Sequence, residues 1–285
     1  MGILFGPGGN SQSFYDEGHK SSVDAPGWIR RLGLGAYEYQ CVRGVNIGEA
    51  TAARLGEEAA RQGIVLSIHA PYYINFAATD PGLLAKTKKH LLDSLRAARW
   101  MGATRVVFHP GSAGPDRGAA LERAKEAVAQ VIDQAADENL DDIILAPETL
   151  GKLSYLGLLD EVLELCTLSP HMLPTVDFGH IHALTQGALT DRAAYAAVLD
   201  RVVERLGEDR TRRMHMHFSP VEFTAAGERK HWSIKDGYGP DFRPLAEELA
   251  ERGYAPILIC ESNGTQAEDA VTYQQRYLET IRAKP

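Results

Sequence analysis

Cysteine is scarce and long apolar runs are missing. The three cysteines, Cys41, Cys166 and Cys260, stand far apart with no CxxC spacing, which argues against a disulfide framework and fits a reduced compartment. No window approaches the roughly 18 apolar residues of a membrane span. The opening "MGILFGPGGNSQSF" has no basic segment and only a short apolar run, too little for a signal-peptide core. A soluble cytoplasmic protein, away from membranes, is the expectation. Neither a GxGxxG nor a Walker-type loop occurs, and no Pro/Ser-rich linker or low-complexity tract divides the chain. A second domain and an organic cofactor therefore have no support. Positive charge is also short: 30 Lys and Arg against 38 Asp and Glu leave a net charge of -8, which argues against a nonspecific binder of nucleic acid unless cations reverse the local sign.

What the chain has is regular. Its 285 residues are 44% hydrophobic, enough to bury a substantial core. Eight short β-rich apolar runs recur: "GILFG" (2–6), "AYEYQ" (36–40), "IVLSIH" (64–69), "TRVVFH" (104–109), "DIILAPE" (142–148), "MLPTVD" (172–177), "RRMHMHF" (212–218) and "APILICE" (255–261). Between them lie stretches with helical spacing, such as "IGEATAARLGEEAARQG" and "LLAKTKKHLLDSLRAARWMG", closed by Gly or Asn. Eight strands alternating with helices predict an α/β chain folded as one (β/α)8 TIM barrel over residues 1–285, taken as a monomer, with its site at the C-terminal ends of the strands. The glycine-rich "LFGPGGN" reads as a tight turn after the first strand.

The strand ends share a chemistry. Run three ends in His69, run four in His109, run five in Glu148, run six in Asp177, run seven carries His215 and His217, and run eight ends in Glu261. One imidazole or carboxylate at a strand end is ordinary, but six consecutive runs suggest a metal centre. Mixed nitrogen and oxygen ligands without thiolate suit zinc, with manganese or iron as alternatives. One catalytic zinc takes about three protein ligands, so this many candidates imply two or three divalent ions.

Taken in order, "SIHAPYYIN", "VVFHPGS", "APETLGK", "VDFGH", "MHMHF", "GERKH" and "CES" resemble the endonuclease IV family of metal-dependent apurinic/apyrimidinic endonucleases, within the xylose-isomerase-like TIM barrels. The resemblance implies a first zinc on His69 and His109, with Glu148 bridging to a second completed by Asp177, His215 and Glu261. A third ion would take His180 and His231. It also implies base excision repair chemistry: hydrolysis of DNA 5′ to an abasic site by a metal-activated hydroxide, with Glu148 and Glu261 as the catalytic carboxylates and Tyr72 facing the DNA.

Several positions depart from the family pattern. Where the family has Asp-x-His after run seven, "GERKH" offers Glu228 or Arg229; Glu228 is preferred, since a guanidinium cannot ligate a cation. His215 and His217 fall on one side of a strand, so either can be the ligand; His215 is favoured, with His217 behind it. "CVRGVNIGEA" lacks the polar and basic loop with which the family enters the minor groove, and leaves Arg43 as a lone cation. His182 has no counterpart and reads as a loop or supporting residue. Two other readings stay open. In a sugar isomerase or epimerase on the same barrel, Glu148 and Glu261 would shuttle a proton and Glu38 would sit at a strand end. A degenerate barrel would bind metal or ligand without turnover.

Overall fold

The computed structural model describes residues 2–283. All eight runs form strands, each starting no more than three residues from its predicted start: β1 (Leu4–Pro7), β2 (Ala36–Gln40), β3 (Val65–His69), β4 (Arg105–Phe108), β5 (Ile144–Pro147), β6 (Thr175–Asp177), β7 (His215–His217) and β8 (Ile257–Cys260). They lie parallel in two half-sheets, ordered β2-β3-β4-β5 and β1-β8-β7-β6. Single parallel bridges, Gly8 to Glu38 and Glu148 to Thr175, join the halves and complete the ring. Gly6 is required at the first seam. A Cβ there would lie 1.9 Å from the Ala36 carbonyl oxygen.

Helices follow the strands on the outside: α1 (Ala25–Arg31), α2 (Glu49–Gln62), α3 (Pro81–Met101), α4 (Arg117–Asp137), α5 (Leu159–Leu165), α6 (Phe178–Leu184), α7 (Arg192–Leu206), α8 (Arg243–Arg252) and α9 (Gln266–Arg282). Gly63, Gly102 and Gly253 end α2, α3 and α8 in the left-handed conformation. Asn139 does the same just beyond α4, at φ 56°. These are the expected stops, since a side chain is least costly there when absent or short.

Strand alternation separates two environments. Tyr37, Leu66, Ile68, Val106, Phe108, Val176, Met216 and Leu258 belong to the large apolar core. The intervening positions line the axis: Ala36, Ile257 and Ile259 form a small apolar plug with Leu4 and Val65. Inward positions nearer the strand C-termini are polar, including Glu38, Ser67, His69, Asp177, His215 and His217, all buried. The apolar core supplies the burial energy, at about 25 cal/mol per Å² of apolar area, which lets the axis carry charge.

The expectation of a loop at His182 changes. His180 and His182 both lie in α6, whose N-cap is Asp177: the His180 backbone N–H donates to Asp177 Oδ1 at 2.7 Å. "GERKH" is a strand. Gly227–His231 pairs antiparallel with Val221–Thr224 in a hairpin after β7, and the bulge between Glu222 and Phe223 changes the register within it.

Candidate metal centre

Glu148, following β5, is the hub. Its Oε2 lies 3.0 Å from His69 Nε2 and 3.1 Å from His109 Nε2. Its Oε1 lies 3.0 Å from His217 Nδ1 and 3.5 Å from His180 Nδ1. One carboxylate thus faces two groups of ligands, as a bridging ligand must.

Three clusters surround it. His69 and His109 make the first with Glu148; Glu148, Asp177, His217 and Glu261 the second; Asp177, His180 and His231 the third. Glu228 reaches the third cluster from the hairpin, with its carboxylate oxygens 3.5 Å from His180 Nε2 and 3.6 Å from His231 Nε2. Arg229 points away and pairs with Glu222 at 2.6 Å.

Backbone contacts set the ring orientations. His69 Nδ1 donates to the Ala70 carbonyl at 2.8 Å, and His180 Nδ1 to the Thr149 carbonyl at 2.8 Å. A carbonyl only accepts, so each ring carries a proton on Nδ1, and Nε2 is the nitrogen that could ligate a cation once its own proton is lost. His231 Nδ1 pairs with the Ser219 hydroxyl at 2.7 Å, leaving its Nε2 3.1 Å from that of His180.

The donor set fits cations. Asp177 Oδ2 is fully buried and has no hydrogen-bond partner among the described residues, a costly state for a carboxylate oxygen unless a cation meets it. Titration reflects the same crowding. Burial disfavours the charged His180 ring, yet Asp177, Glu148 and Glu228 outweigh it and lift its pKa to about 9. Burial opposes ionisation of Glu261 too, but the His217 imidazolium holds it at about 2. For Asp177, burial dominates and raises the pKa.

His217, not His215, stands beside Glu148, Asp177 and Glu261, the reverse of the sequence preference. The two rings share a strand face, but β7 register sets His217 level with Asp177 and His215 level with Thr175, one layer deeper. There His215 Nε2 donates to Glu38 Oε2 at 2.9 Å. Burial lowers the His215 pKa to about 4 despite that carboxylate. His182 lies off the centre, on the side of α6 packed against Phe223, with ring centroids 5.5 Å apart.

Tyr72 is 41% exposed at the rim, with its ring centroid 4.8 Å from His69 and 5.4 Å from His109. Its hydroxyl donates to Gln40 Oε1 at 2.7 Å. The centre opens into a cavity of about 640 Å³ that runs toward the ends of β1 and β2, past Asn10, Tyr37, Gln40 and Gln266. Among the described residues, no lysine or arginine lines it. Glu38 was named only for the isomerase reading, and Gln40 was not singled out. The signal was an acid and an amide at alternate positions of a strand otherwise buried on both faces.

This ring of inward carboxylates and imidazoles on eight parallel strands defines a class, and comparison agrees with it. A family described as xylose isomerase-like TIM barrel matches residues 26–281, and the chain belongs to that family. It is 30% identical over 230 residues to a probable endonuclease 4 of Streptomyces avermitilis, covering 77% of this chain and 72% of the relative. It is 31% identical over 261 residues to an uncharacterised protein of Methanocaldococcus jannaschii, covering 91% and 92%. Two solved structures share the fold. A D-tagatose 3-epimerase-like protein has TM-score 0.70 at 20% identity, over 88% of this chain and 91% of the other. Endonuclease IV of Thermus thermophilus has TM-score 0.68 at 20% identity, over 93% and 96%. The similarity to a probable endonuclease 4 supports an enzyme. No helix among the described residues is long and apolar enough to cross a membrane.

Proposed function

We propose that the chain is a metal-dependent phosphodiester hydrolase that cuts DNA 5′ to abasic sites. The observation that carries this reading is the third cluster: Asp177, His180, His231 and Glu228 form a ligand group beyond what one ion needs. The similarity to a probable endonuclease 4 points the same way. His69 and His109 would hold one ion and Asp177, His217 and Glu261 a second, with Glu148 between them; His180, His231 and Glu228 would hold a third. Such ions would supply Lewis acidity and lower the pKa of a water near the scissile phosphate. They would also provide positive charge that the cavity lacks.

The chain's own groups do the rest. Glu148 and Glu261 orient the ligand histidines, the carbonyls of Ala70 and Thr149 fix the tautomers of His69 and His180, and Tyr72 offers a ring at the rim for the abasic nucleotide. The reading also takes the chain as a single-domain, cytoplasmic monomer using zinc, with manganese or iron as alternatives.

The cavity favours a second reading. Its walls of amide and tyrosine, without a cation, suit a polyhydroxy sugar, and the second cluster alone would serve an epimerase, with Glu148 and Glu261 moving the proton. Elemental analysis separates the two. The hydrolase reading expects two to three equivalents of zinc or manganese per chain in the purified protein; one equivalent, with turnover of a ketose, would establish the epimerase.

A further inference from the structure

We propose that Glu38 is a positioning residue for the metal centre: from below the floor of the site it holds His217 so that Nδ1, and not Nε2, meets the second ion. The proposal rests on the metal-binding reading above but not on the substrate.

His217 lies between two layers of carboxylate. On the mouth side its Nδ1 is 3.0 Å from Glu148, 3.3 Å from Glu261 and 3.9 Å from Asp177. On the floor side its Nε2 is 3.1 Å from Glu38 Oε1. That contact has ion-pair distance without hydrogen-bond alignment, and Nε2 has no other partner among the described residues. A neutral imidazole that gives one nitrogen to a cation carries its proton on the other. The ring is fully buried, so that N–H would need a protein acceptor, and Glu38 Oε1, 3.1 Å away, is the carboxylate oxygen within reach of it.

Glu38 is itself held. Its Oε2 accepts from Ser67 at 2.9 Å and from His215 at 2.9 Å, and its Oε1 accepts from Gln40 at 3.1 Å. Ser67 is its register partner on the adjacent β3 and His215 reaches it from β7, so the carboxylate is held by two strands besides its own. Gln40 also accepts from Tyr72, which links this floor to the rim. Outer partners of this kind orient ligand histidines and raise their basicity.

An ion of its own at Glu38, His215 and His217 is the alternative, since those three side chains also lie within reach of one point. Access decides against it. The cavity reaches Glu148 and Glu261 but neither Glu38 nor His215, and a metal site needs an entry path.

The test is Zn²⁺ binding to the metal-free full chain, read by competition with a chromophoric chelator. Glu38→Gln keeps the shape and removes the charge. It should weaken one of the zinc ions by about 10–100-fold, with the ion on His69 and His109 less affected and Glu38→Asp restoring part of the loss. Unchanged binding of every ion in a folded Glu38→Gln protein overturns the proposal. Should that variant fail to fold, the zinc-loaded wild type decides: histidine nitrogen NMR or a crystal structure should show Nδ1 of His217 on zinc and Nε2–H on Glu38. Zinc on Nε2, or an ion between Glu38 and His215, overturns it. A wild type that binds zinc but leaves abasic DNA intact sinks the hydrolase reading alone, and wild-type zinc binding by Glu38→Gln in an enzyme that cuts DNA sinks this one alone.

Discussion

Replacing Glu148 by Gln tests the hub. The amide keeps the volume of a fully buried side chain, but it carries no charge and one of its two ends becomes a donor. In the native site those ends lie 3.0 Å from His69, 3.1 Å from His109 and 3.0 Å from His217, so one substitution would degrade the ligand sets of both proposed ions. Losing an outer partner of a ligand already costs about 10–100-fold in metal affinity. Loss of the shared ligand should exceed about 100-fold at each of two ions, or about 2.7 kcal/mol apiece at 1.36 kcal/mol per decade. At limiting zinc the variant should therefore retain fewer than two ions by elemental analysis, and incision of an abasic duplex should fall below detection. Circular dichroism would check that the fold is intact. A folded Glu148→Gln protein with a full metal complement, cutting within about tenfold of wild type, would refute the bridging role.

Other perturbations test separate parts of the account. Because His180 stays protonated up to a pKa of about 9 in the metal-free protein, an ion taken there must displace a proton. Its apparent affinity should climb about tenfold per pH unit up to about 9 and then flatten, whereas an ordinary imidazole would flatten near 6.5; cobalt titrations from about pH 6 to 9.5 would show which, and a plateau already reached at about pH 7 would contradict the assignment. His182→Ala should leave metal content and incision unchanged. It should lower stability by roughly 1–3 kcal/mol in denaturant, because the ring packs on Phe223 and against Gly239; loss of an ion would place His182 in the centre after all. At Gly56, a Cβ would lie 2.4 Å from the Met101 carbonyl oxygen where α2 crosses the end of α3. Gly56→Ala should cost about 1–3 kcal/mol, or roughly 2–4 °C of Tm per kcal/mol, with a Tm equal to wild type counting against that close approach.

The barrel was legible because buried parallel strands write themselves as short apolar runs and because Gly63, Gly102, Asn139 and Gly253 mark helix ends in the left-handed conformation that few other residues take. The candidate ligands were legible for a related reason: polar residues on strands that are otherwise apolar need a partner, and His69, His109, Glu148, Asp177 and Glu261 all stand at strand C-termini. Depth along the axis was not legible. His215 and His217 present the same side of β7, and only pairing with β6 shows that His217 is level with Asp177. The role of Glu38 beside His217 escaped for the same reason, since it depends on His215 reaching the carboxylate from across the barrel while Ser67 holds it from the neighbouring strand. The hairpin that brings Glu228 and His231 to the third cluster is built from residues too polar to signal strands, and pairing between its two arms, rather than apolar burial, holds it.

The most direct measurement is incision of a 5′-labelled duplex containing one abasic-site analogue by the zinc-replete chain. The expected result is a single cut immediately 5′ to the lesion, leaving a 3′-hydroxyl that a polymerase extends, and abolished by chelation. An intact duplex after prolonged incubation with protein holding its full metal complement, alongside conversion of a free ketose by the same preparation, would contradict it.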